Sequence, residues 1–514
     1  MKPCFLGLDI GTSGTKAILV SPDGVVVGSA TGSYPLHSPR PLWTEQDPAD
    51  WWNAVVAGIR TLMEECEVTP GEIAAVGLTG QMHGLVALDQ DGEVIRPCIM
   101  WNDQRTHEQC AEITNSLGED ALIRITGKPL LPSFTASKLA WVKTHEPHVF
   151  RRIAKILLPK DYIRYRLTGE LLSEVSDASG TSLFDVARRT WSDEIITALN
   201  IPRSWLPDVS ESPVISAHVS AQGSEQTGLL QGTPVVGGAG DQAAEAVGCG
   251  ILSEGSVSVA VGTSGVVFAA TDAYRFDPAG RVHAYCHAVP DTWHLMGVML
   301  SAGGSLRWYR DTFCLEEKRI AAESGADVYD VLTSAAADVP PGSEGLIFLP
   351  YLTGERTPHA DPYARAMFFG MTLRHSKPHL TRSILEGVAY GLNDSLELMR
   401  RINVRFDAVR VSGGGSRSEL WRRIMADVFN TRVQTVNVSE GAAFGAALLA
   451  GVGARIYDSV ADACARIVRT KESHEPGEAV ESYRQYYRVY RTLYSSVAPL
   501  FRELHEIEQR NGDL

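Results

Sequence analysis

The chain has 514 residues, of which 44% are hydrophobic and 21% are charged, and these proportions are typical of a globular protein rather than a disordered one. Its net charge of -14 argues against a surface for nucleic acid or anionic lipid, because phosphate groups attract basic proteins. The length exceeds that of one ordinary core and predicts two large domains with a cleft between them.

Residues 1–11 form a short apolar run without the basic start and cleavage site of a signal peptide, and no stretch reaches membrane-spanning length. We therefore predict a core strand at the amino terminus and no membrane partner. The eight cysteines are scattered without paired spacing, which favours neither a zinc site nor a disulfide framework. We accordingly predict a cytoplasmic protein.

The opening segment alternates β-rich runs with turn signals, and it predicts strands over 5–10, 15–20 and 25–28. An apolar-periodic helix is predicted over 50–65, followed by another strand over 73–78. Because strands and helices alternate, the fold class is predicted to be α/β.

Further along the chain, helices are predicted over 137–143, 380–401 and 418–429, and buried strands over 235–238 and 408–411. Ligand sites tend to form where such strands end. The last long helix carries tyrosines at three- and four-residue spacing, which indicates a packing stripe rather than a binding site.

A short motif occurs once in each half of the chain. The run LGLDIGTSG begins at residue 6, and VSVAVGTSG begins at residue 257. In a GTSG turn between two strands, the glycines let the backbone approach a polyphosphate while hydroxyl and amide groups donate to its oxygens. A single such turn is an ordinary hairpin connector, but the repeat predicts two related domains that each present a phosphate-binding turn to a shared cleft.

Two aspartates lie close to these glycine-rich segments. Asp9 interrupts an apolar strand just before the first turn, where a carboxylate either serves Mg²⁺ or hydrogen-bonds neighbouring backbone. Asp241 follows Gly-Gly-Ala-Gly at the end of another apolar strand. It is predicted to act as a general base toward a substrate hydroxyl, with the alternative that it caps the helix that follows.

Hydrogen-bonding side chains also cluster in residues 81–84, QMHG, and 101–106, WNDQRT. Both segments follow predicted strands and are typical of a surface that reads a polyol, although a single histidine beside a methionine is often structural. In the second half, residues 413–415 are three glycines between a strand and a helix. Such a segment lets a nucleotide approach the backbone, or serves as a flexible connector.

These residues together resemble the FGGY carbohydrate kinases, which belong to the actin, Hsp70 and hexokinase superfamily. The resemblance covers nearly the whole chain and includes two long signatures, from Ser133 to His145 and from Ala366 to Glu386. It implies two RNase-H-like domains of the actin and hexokinase type flanking a catalytic cleft, over residues 1–248 and 249–514. It also implies ATP and Mg²⁺ as cofactors.

The resemblance assigns roles to individual residues. The 81–84 and 101–106 segments are similar to those of members that phosphorylate D-xylulose, whereas glycerol kinases carry an Arg-Glu pair there. Asp241 would deprotonate the 5-hydroxyl, and Asp9 would orient Mg²⁺ through water. The implied sugar-binding residues are Met82, His83, Trp101, Asn102, Asp103 and Gln242. The implied nucleotide-binding residues are Gly11, Thr12, Ser13, Lys16, Gly262, Thr263, Ser264, Gly303, Gly414 and Ser418.

Two alternatives stay open at the level of sequence. One is a kinase of the same family for ribulose, erythritol or glycerol. Such a kinase would differ only in the surface that contacts the sugar, formed by residues 81–84 and 101–106 and called the sugar wall below. The other is an ATP-driven binding protein such as a chaperone-like ATPase, which is disfavoured because the chain shows no appended peptide-binding domain and no basic face. The expected partners are D-xylulose and ATP, and the sequence leaves a homodimer open.

Overall fold

The computed structural model describes residues 3–438 and 440–511. The outermost residues of the two predicted domains, 1–2 and 512–514, lie outside the described residues. Two mixed sheets of seven strands each form the centre of the molecule, and helices cover their faces. The prediction of an α/β fold with two domains of the actin and hexokinase type is confirmed.

The first sheet is built from the amino-terminal half. Its central strand, Cys4–Ile10, pairs antiparallel with Gly14–Val20 and parallel with Ile73–Gly80. The strands of this sheet are Cys4–Ile10, Gly14–Val20, Val26–Ser33, Ile73–Gly80, Ile215–His218, Pro234–Val236 and Ala239–Gly240.

The strand Val26–Ser33 is longer than the predicted 25–28. Its glycines let the strand lie directly on the helix Pro48–Glu65 and the residue that follows it. A Cβ atom on Gly28 would collide with Cys66, and one on Gly32 would press on Ala54. Close packing against a helix therefore overrides the low strand propensity of glycine here.

The second sheet repeats the central arrangement of the first. Gly255–Val261 pairs antiparallel with Gly265–Thr271 and parallel with Phe406–Ser412. The strands of this sheet are Gly255–Val261, Gly265–Thr271, His283–Cys286, Trp293–Met299, Phe406–Ser412, Arg432–Val436 and Thr470–His474. The two GTSG turns thus occupy equivalent places in two similar sheets.

The remaining strands form two-stranded sheets: Glu45–Gln46 with Cys98–Ile99, Val86–Leu88 with Lys155–Leu157, Leu172–Glu174 with Asp208–Ser210, Phe184–Asp185 with Thr190–Trp191, and Ile347–Leu349 with Met367–Phe369. The helices of the first half are Pro48–Glu65, His107–Leu117, Glu119–Thr126, Thr135–His145, Pro147–Phe150, Pro159–Thr168, Val175–Ala178, Asp193–Ala198, Ala221–Thr227 and Asp241–Gly248. Those of the second half are Gly303–Phe313, Leu315–Ser324, Val328–Ala337, Lys377–Arg401, Glu419–Phe429, Gly441–Gly453, Val460–Ile467 and Val480–Asn511.

One helix of the second half packs on the first sheet. The helix Gly441–Gly453 consists almost entirely of glycine, alanine and leucine. Cβ atoms on Gly7 or Gly77 would collide with its backbone carbonyls, and its Gly445 lies equally close to the helix Asp241–Gly248. Small residues on both sides therefore bring the two halves into backbone contact beneath the cleft.

The last helix, Val480–Asn511, confirms the predicted packing stripe. Tyr483 and Tyr490 are buried in the core of the second half, and both rings contact Tyr390 of the helix Lys377–Arg401. Among residues 3–438 and 440–511, no helix combines the length and the apolar character needed to cross a bilayer.

Candidate active site

The first GTSG turn is fixed in place by side chains from three other segments. The hydroxyl of Thr12 donates to Oε1 of Gln81 at 3.0 Å and accepts from the indole N–H of Trp101 at 2.9 Å. The carbonyl of Thr12 accepts from Nε2 of Gln46 at 2.7 Å. The sequence did not predict this role of Gln46, because no motif near residue 46 indicates a contact with the turn. The turn is thereby tied to residues predicted to belong to the sugar wall.

The second GTSG turn lies on the helix Gly303–Phe313. The backbone N–H groups of Gly303 and Gly304 donate to the carbonyls of Gly262 and Thr263 at 2.8 and 3.0 Å. A Cβ atom on Gly303 would collide with the Gly262 carbonyl. Glycine at position 303 is therefore required for this close approach.

A cavity of about 490 Å³ opens beside the second turn, within the size range of small-molecule sites. Five of the predicted nucleotide-binding residues line it: Gly262, Thr263, Gly303, Gly414 and Ser418. Its wall also includes Arg307, Tyr329, Thr333 and Trp421, of which the last three gave no recognisable motif in the sequence. Ser418 caps the helix Glu419–Phe429, since its hydroxyl accepts from the N–H of Trp421 at 3.3 Å.

Lys16 lies on the strand that follows the first turn, directly across the ladder from Asp9. Its ammonium group forms an ion pair with the carboxylate of Glu440, which belongs to the second half of the chain. In this conformation Lys16 therefore spans the two halves of the molecule.

Three carboxylates gather where the first turn meets the helix Asp241–Gly248. Burial and the neighbouring charge of Glu245 raise the pKa of Asp9 to about 6, against the opposing effect of Lys16. Burial, and then the charge of Asp9, raise the pKa of Asp241 to about 7. Burial also raises the pKa of Glu245, although Ser412 donates to it at 3.1 Å. The mutual repulsion of these groups favours the binding of a cation or a proton.

The donor set suits a hard cation such as Mg²⁺, which prefers carboxylate and water oxygens. Among residues 3–438 and 440–511, however, no group of three or more histidine, cysteine or acidic side chains converges tightly enough to form a closed metal site. Water or a bound phosphate would have to supply the remaining ligands of such an ion.

Asp241 is the first residue of its helix, and the cap position is occupied by Gly240 without any side-chain cap. One oxygen of Asp241 accepts from the N–H of Gln242 at 2.7 Å. The N–H of Gly240 donates to the hydroxyl of Ser176 at 3.0 Å, and that hydroxyl donates to Glu174 at 2.8 Å. Asp241 is thus held by a short chain of buried groups that the sequence did not indicate.

Met82 and His83 form a wall beside Asp241. Cβ atoms on Gly180 or Gly240 would collide with these two side chains, so both glycines are needed to leave them room. His83 adopts a left-handed backbone conformation, with φ of 71°, which is uncommon for a non-glycine residue. Its carbonyl accepts from Lys138 at 2.8 Å and from Thr135 at 3.1 Å.

The ring of His83 is neutral. Burial and the nearby charges of Lys138, Lys128 and Arg356 hold its pKa well below the usual value. Since Nδ1 lies 2.7 Å from the carbonyl of Gly180, Nδ1 carries the proton and donates it to that oxygen. Nε2 is then a hydrogen-bond acceptor, which is suited to receive a sugar hydroxyl.

The segment 101–106 divides into exposed and buried residues. The Trp101 side chain is 39% exposed, and Asn102 accepts from the Thr44 hydroxyl at 2.8 Å. Asp103 is fully buried, and its oxygens are occupied by Arg105 and by the N–H of Thr44. In this conformation Asp103 supports the wall from behind, and a direct contact to sugar would require it to leave Arg105.

Comparison with known proteins matches both halves of the chain to one family. Residues 4–248 match the N-terminal domain of the FGGY family of carbohydrate kinases, and residues 257–454 match its C-terminal domain. The chain is 38% identical to the xylulose kinase of Escherichia coli, over 96% of this chain and 99% of the relative. It is 33% identical to the gluconokinase of Bacillus subtilis, over 94% of each.

Solved structures give the same picture of the fold. The xylulose kinase of Rhodospirillum rubrum superposes with a TM-score of 0.88 at 33% identity, covering 97% of this chain and 99% of that protein.

Proposed function

Because the chain belongs to the FGGY family of carbohydrate kinases, we propose that it transfers the γ-phosphate of ATP to the 5-hydroxyl of D-xylulose. The products would be ADP and D-xylulose 5-phosphate. The family makes the protein a carbohydrate kinase, and the choice of sugar is supported by its similarity to xylulose kinases along nearly the whole chain.

One observation carries the proposal. Asp241 is a carboxylate whose pKa is raised to about 7. The residue before it, Gly240, lies so close to Met82 of the sugar wall that a Cβ atom there would collide with it. A general base works best when its pKa lies near the operating pH, because it is then both deprotonated and basic enough to accept a proton. This combination of basicity and position fits a group that activates a sugar hydroxyl.

In the proposed reaction, Asp241 takes the proton from the 5-hydroxyl as that oxygen bonds to the γ-phosphorus. The bond between the γ-phosphorus and its bridging oxygen breaks, and ADP leaves with the electron pair. Backbone N–H groups of the first turn, at Thr12 and Ser13, and of the second, at Thr263 and Ser264, would donate hydrogen bonds to the phosphates. The Thr12 hydroxyl is not counted among these donors, because its proton is already donated to Gln81. Such positioning and charge neutralisation supply most of the catalysis in phosphoryl transfer.

We place Mg²⁺ next to Asp9, which would hold the ion through water. When bound, Mg²⁺ neutralises phosphate charge. In the protein itself, Lys16 faces Asp9 across the strand ladder. Its ammonium group would reach the phosphates only after leaving Glu440. The cytoplasmic location and the homodimer stay predictions.

A coupled assay of ADP release tests the proposal. The acceptors are D-xylulose, D-ribulose, erythritol, glycerol and gluconate, the last because of the similarity to a gluconokinase. We expect the highest kcat/KM with D-xylulose. A clearly higher kcat/KM with any other acceptor would overturn the choice of sugar, whereas ATP turnover without dependence on any of them would favour the ATP-driven binding protein.

A further inference from the structure

Two polar side chains of the second half of the chain lie against the sugar wall and have no role in the proposed reaction. One is Tyr285, on the strand His283–Cys286. Its side chain is 1% exposed and packs with Met82, and its ring centroid lies 6.4 Å from that of His83. Within the described part of the chain, its hydroxyl has no hydrogen-bond partner. A buried hydroxyl without a partner is costly, and a ligand bound beside Met82 would satisfy it.

The other side chain is Arg356, in the segment that follows the strand Ile347–Leu349. Its guanidinium donates to the hydroxyl of Ser133 in the first half, at 3.3 Å. Among residues 3–438 and 440–511, this is the one hydrogen bond that the Arg356 side chain makes. The neighbouring side chain of Glu355 does not accept from the guanidinium, because it accepts from the backbone N–H groups of Leu300 and Arg356 instead. Most of the five donors of the guanidinium are therefore free to bind a ligand.

Arg356 reaches the same group of residues that fixes His83. The carbonyl of Ser133 accepts from Lys138 at 2.7 Å, and the same ammonium group donates to the carbonyl of His83. The charge of Arg356 contributes to lowering the pKa values of His83 and His283. Arg356 thus lies close to the sugar wall from the opposite side of the cleft.

The two ends of this wall differ in charge. Around Asp241, the neighbouring charged groups that act on its pKa are the carboxylates of Asp9 and Glu245. Around His83, they are Lys138, Lys128 and Arg356. Burial lowers the pKa of each of the two lysines to about 7, so Arg356 is the more permanent positive charge at this end. A substrate lying along the wall with its reacting hydroxyl at Asp241 would therefore extend its other end toward hydrogen-bond donors.

We propose that Arg356, together with the hydroxyl of Tyr285, binds the carbonyl end of the ketose substrate from the second half of the chain. A ketose carbonyl only accepts hydrogen bonds, and a guanidinium only donates them. The sugar would then bridge the two halves of the molecule, with its 5-hydroxyl at Asp241 and its C2 carbonyl at Arg356. This assignment rests on the proposed function, and it makes Arg356 a determinant of specificity for ketoses over alditols.

The test compares D-xylulose with D-arabinitol, in which the C2 carbonyl is replaced by an alcohol. In Arg356→Met, we expect kcat/KM for D-xylulose to fall by at least about 30-fold, mainly through KM. The reason is that the C2 carbonyl loses the guanidinium that binds it, and a site that binds a polar group of its substrate owes its discrimination to that contact. The value for D-arabinitol should change much less, so the ratio between the two substrates should collapse. Arg356→Lys should restore part of the ratio, and Tyr285→Phe should lower it by a smaller factor.

Arg365→Met is the matched control, because among the residues that the structure describes the Arg365 guanidinium donates to the nearby carbonyls of Pro362 and Ala364 alone. The KM for ATP and the thermal midpoint report whether each variant is folded. If Arg356→Met does not fold, the same ratio of kcat/KM values for D-xylulose and D-arabinitol, measured in Arg356→Lys and Tyr285→Phe, tests the assignment. If kcat/KM falls equally for both substrates, or does not fall for D-xylulose, the role of Arg356 is overturned while the proposed function stands. A wild-type enzyme that turns over D-arabinitol at least as well as D-xylulose would overturn the proposed function as well.

Discussion

The backbone N–H of Gly240 donates to the hydroxyl of Ser176 at 3.0 Å, and Gly240 directly precedes Asp241. Ser176 in turn donates to Glu174, which also accepts from the hydroxyl of Ser212 at 2.9 Å. All of these groups are buried. The position of the proposed base is therefore set by a fixed network behind it rather than by the cleft in front of it.

Removing the Ser176 hydroxyl should misplace Asp241. In Ser176→Ala, the buried N–H of Gly240 loses its partner, which should cost about 1–3 kcal/mol of stability. Because small displacements of catalytic groups have large effects, kcat should fall about 10- to 100-fold, with the KM for ATP unchanged. Ser173→Ala is the control, since Ser173 donates to Asp161 within the same buried region. Its stability should fall while its kcat stays at the wild-type value, and an equal loss of kcat in both variants would refute the positioning role.

The acceptor nitrogen of His83 can be tested separately from the backbone conformation of that residue. Asparagine tolerates a positive φ, and its amide can still donate to the carbonyl of Gly180. His83→Asn therefore removes mainly Nε2, and the KM for D-xylulose should rise about tenfold, the effect of roughly one hydrogen bond. Steady-state kinetics should show an unchanged KM for ATP, and the exposed residue His145 provides a control, as His145→Asn. An unchanged KM for sugar would show that Nε2 makes no contact with it.

The hydroxyl of Thr12 joins the first phosphate-binding turn to Trp101 and Gln81. In Thr12→Val, we expect the KM values for both ATP and D-xylulose to rise, each by up to about tenfold, because the loss of these hydrogen bonds loosens the turn and the wall together. Thr12→Ser keeps the hydroxyl and should behave like the wild type. A rise confined to ATP would mean that the turn and the sugar wall act independently.

The raised pKa of Asp241 also predicts how stability depends on pH. The pKa is about 7 in the folded protein and about 3.9 in an unfolded chain, so the folded state binds this proton more tightly. The stability contributed by the proton is present at low pH and is lost as the pH rises from about 4 to about 7. Asp241→Asn lacks this loss, so its thermal midpoint should rise relative to the wild type across that range and level off above it.

Thermal unfolding measured from pH 4.5 to 8 checks this expectation. The difference in thermal midpoint between Asp241→Asn and the wild type is read at each pH. If this difference is constant over the whole range, the carboxyl group of Asp241 titrates in the folded protein as it does in the unfolded chain.

Much of the fold followed from local patterns in the sequence. The two GTSG runs gave equivalent hairpins, because a turn between two apolar strands is decided by its own few residues. The helix Lys377–Arg401 begins within a few residues of its predicted start, because its apolar periodicity is also a local property of the sequence. The strand Val26–Ser33 was underestimated, because its glycines are explained only by the helix that packs on it.

Contacts between distant segments could not be predicted. Ser176 meets Gly240, Gln46 meets Thr12, and Lys16 meets Glu440 only once the chain has folded. Ser176, Gln46 and Glu440 carry no local signal of these contacts. The surroundings of Asp103 are a further example of a contact that the sequence does not reveal. This residue belongs to a polar segment that faces the cleft in part, but its own carboxylate is buried against Arg105.

The central claim is that Asp241 serves as the base for phosphoryl transfer from ATP to D-xylulose. Asp241→Asn keeps the size of the side chain and its hydrogen bond from Gln242, and it removes only the basic oxygen. The most direct measurement is D-xylulose-dependent ADP release by this variant and by the wild type, with the phosphorylated sugar quantified in the same samples. We predict that kcat falls by about 10²- to 10⁴-fold, the contribution of a general base, while the KM for D-xylulose changes little. A variant that forms D-xylulose 5-phosphate at a rate close to that of the wild type would contradict the mechanism.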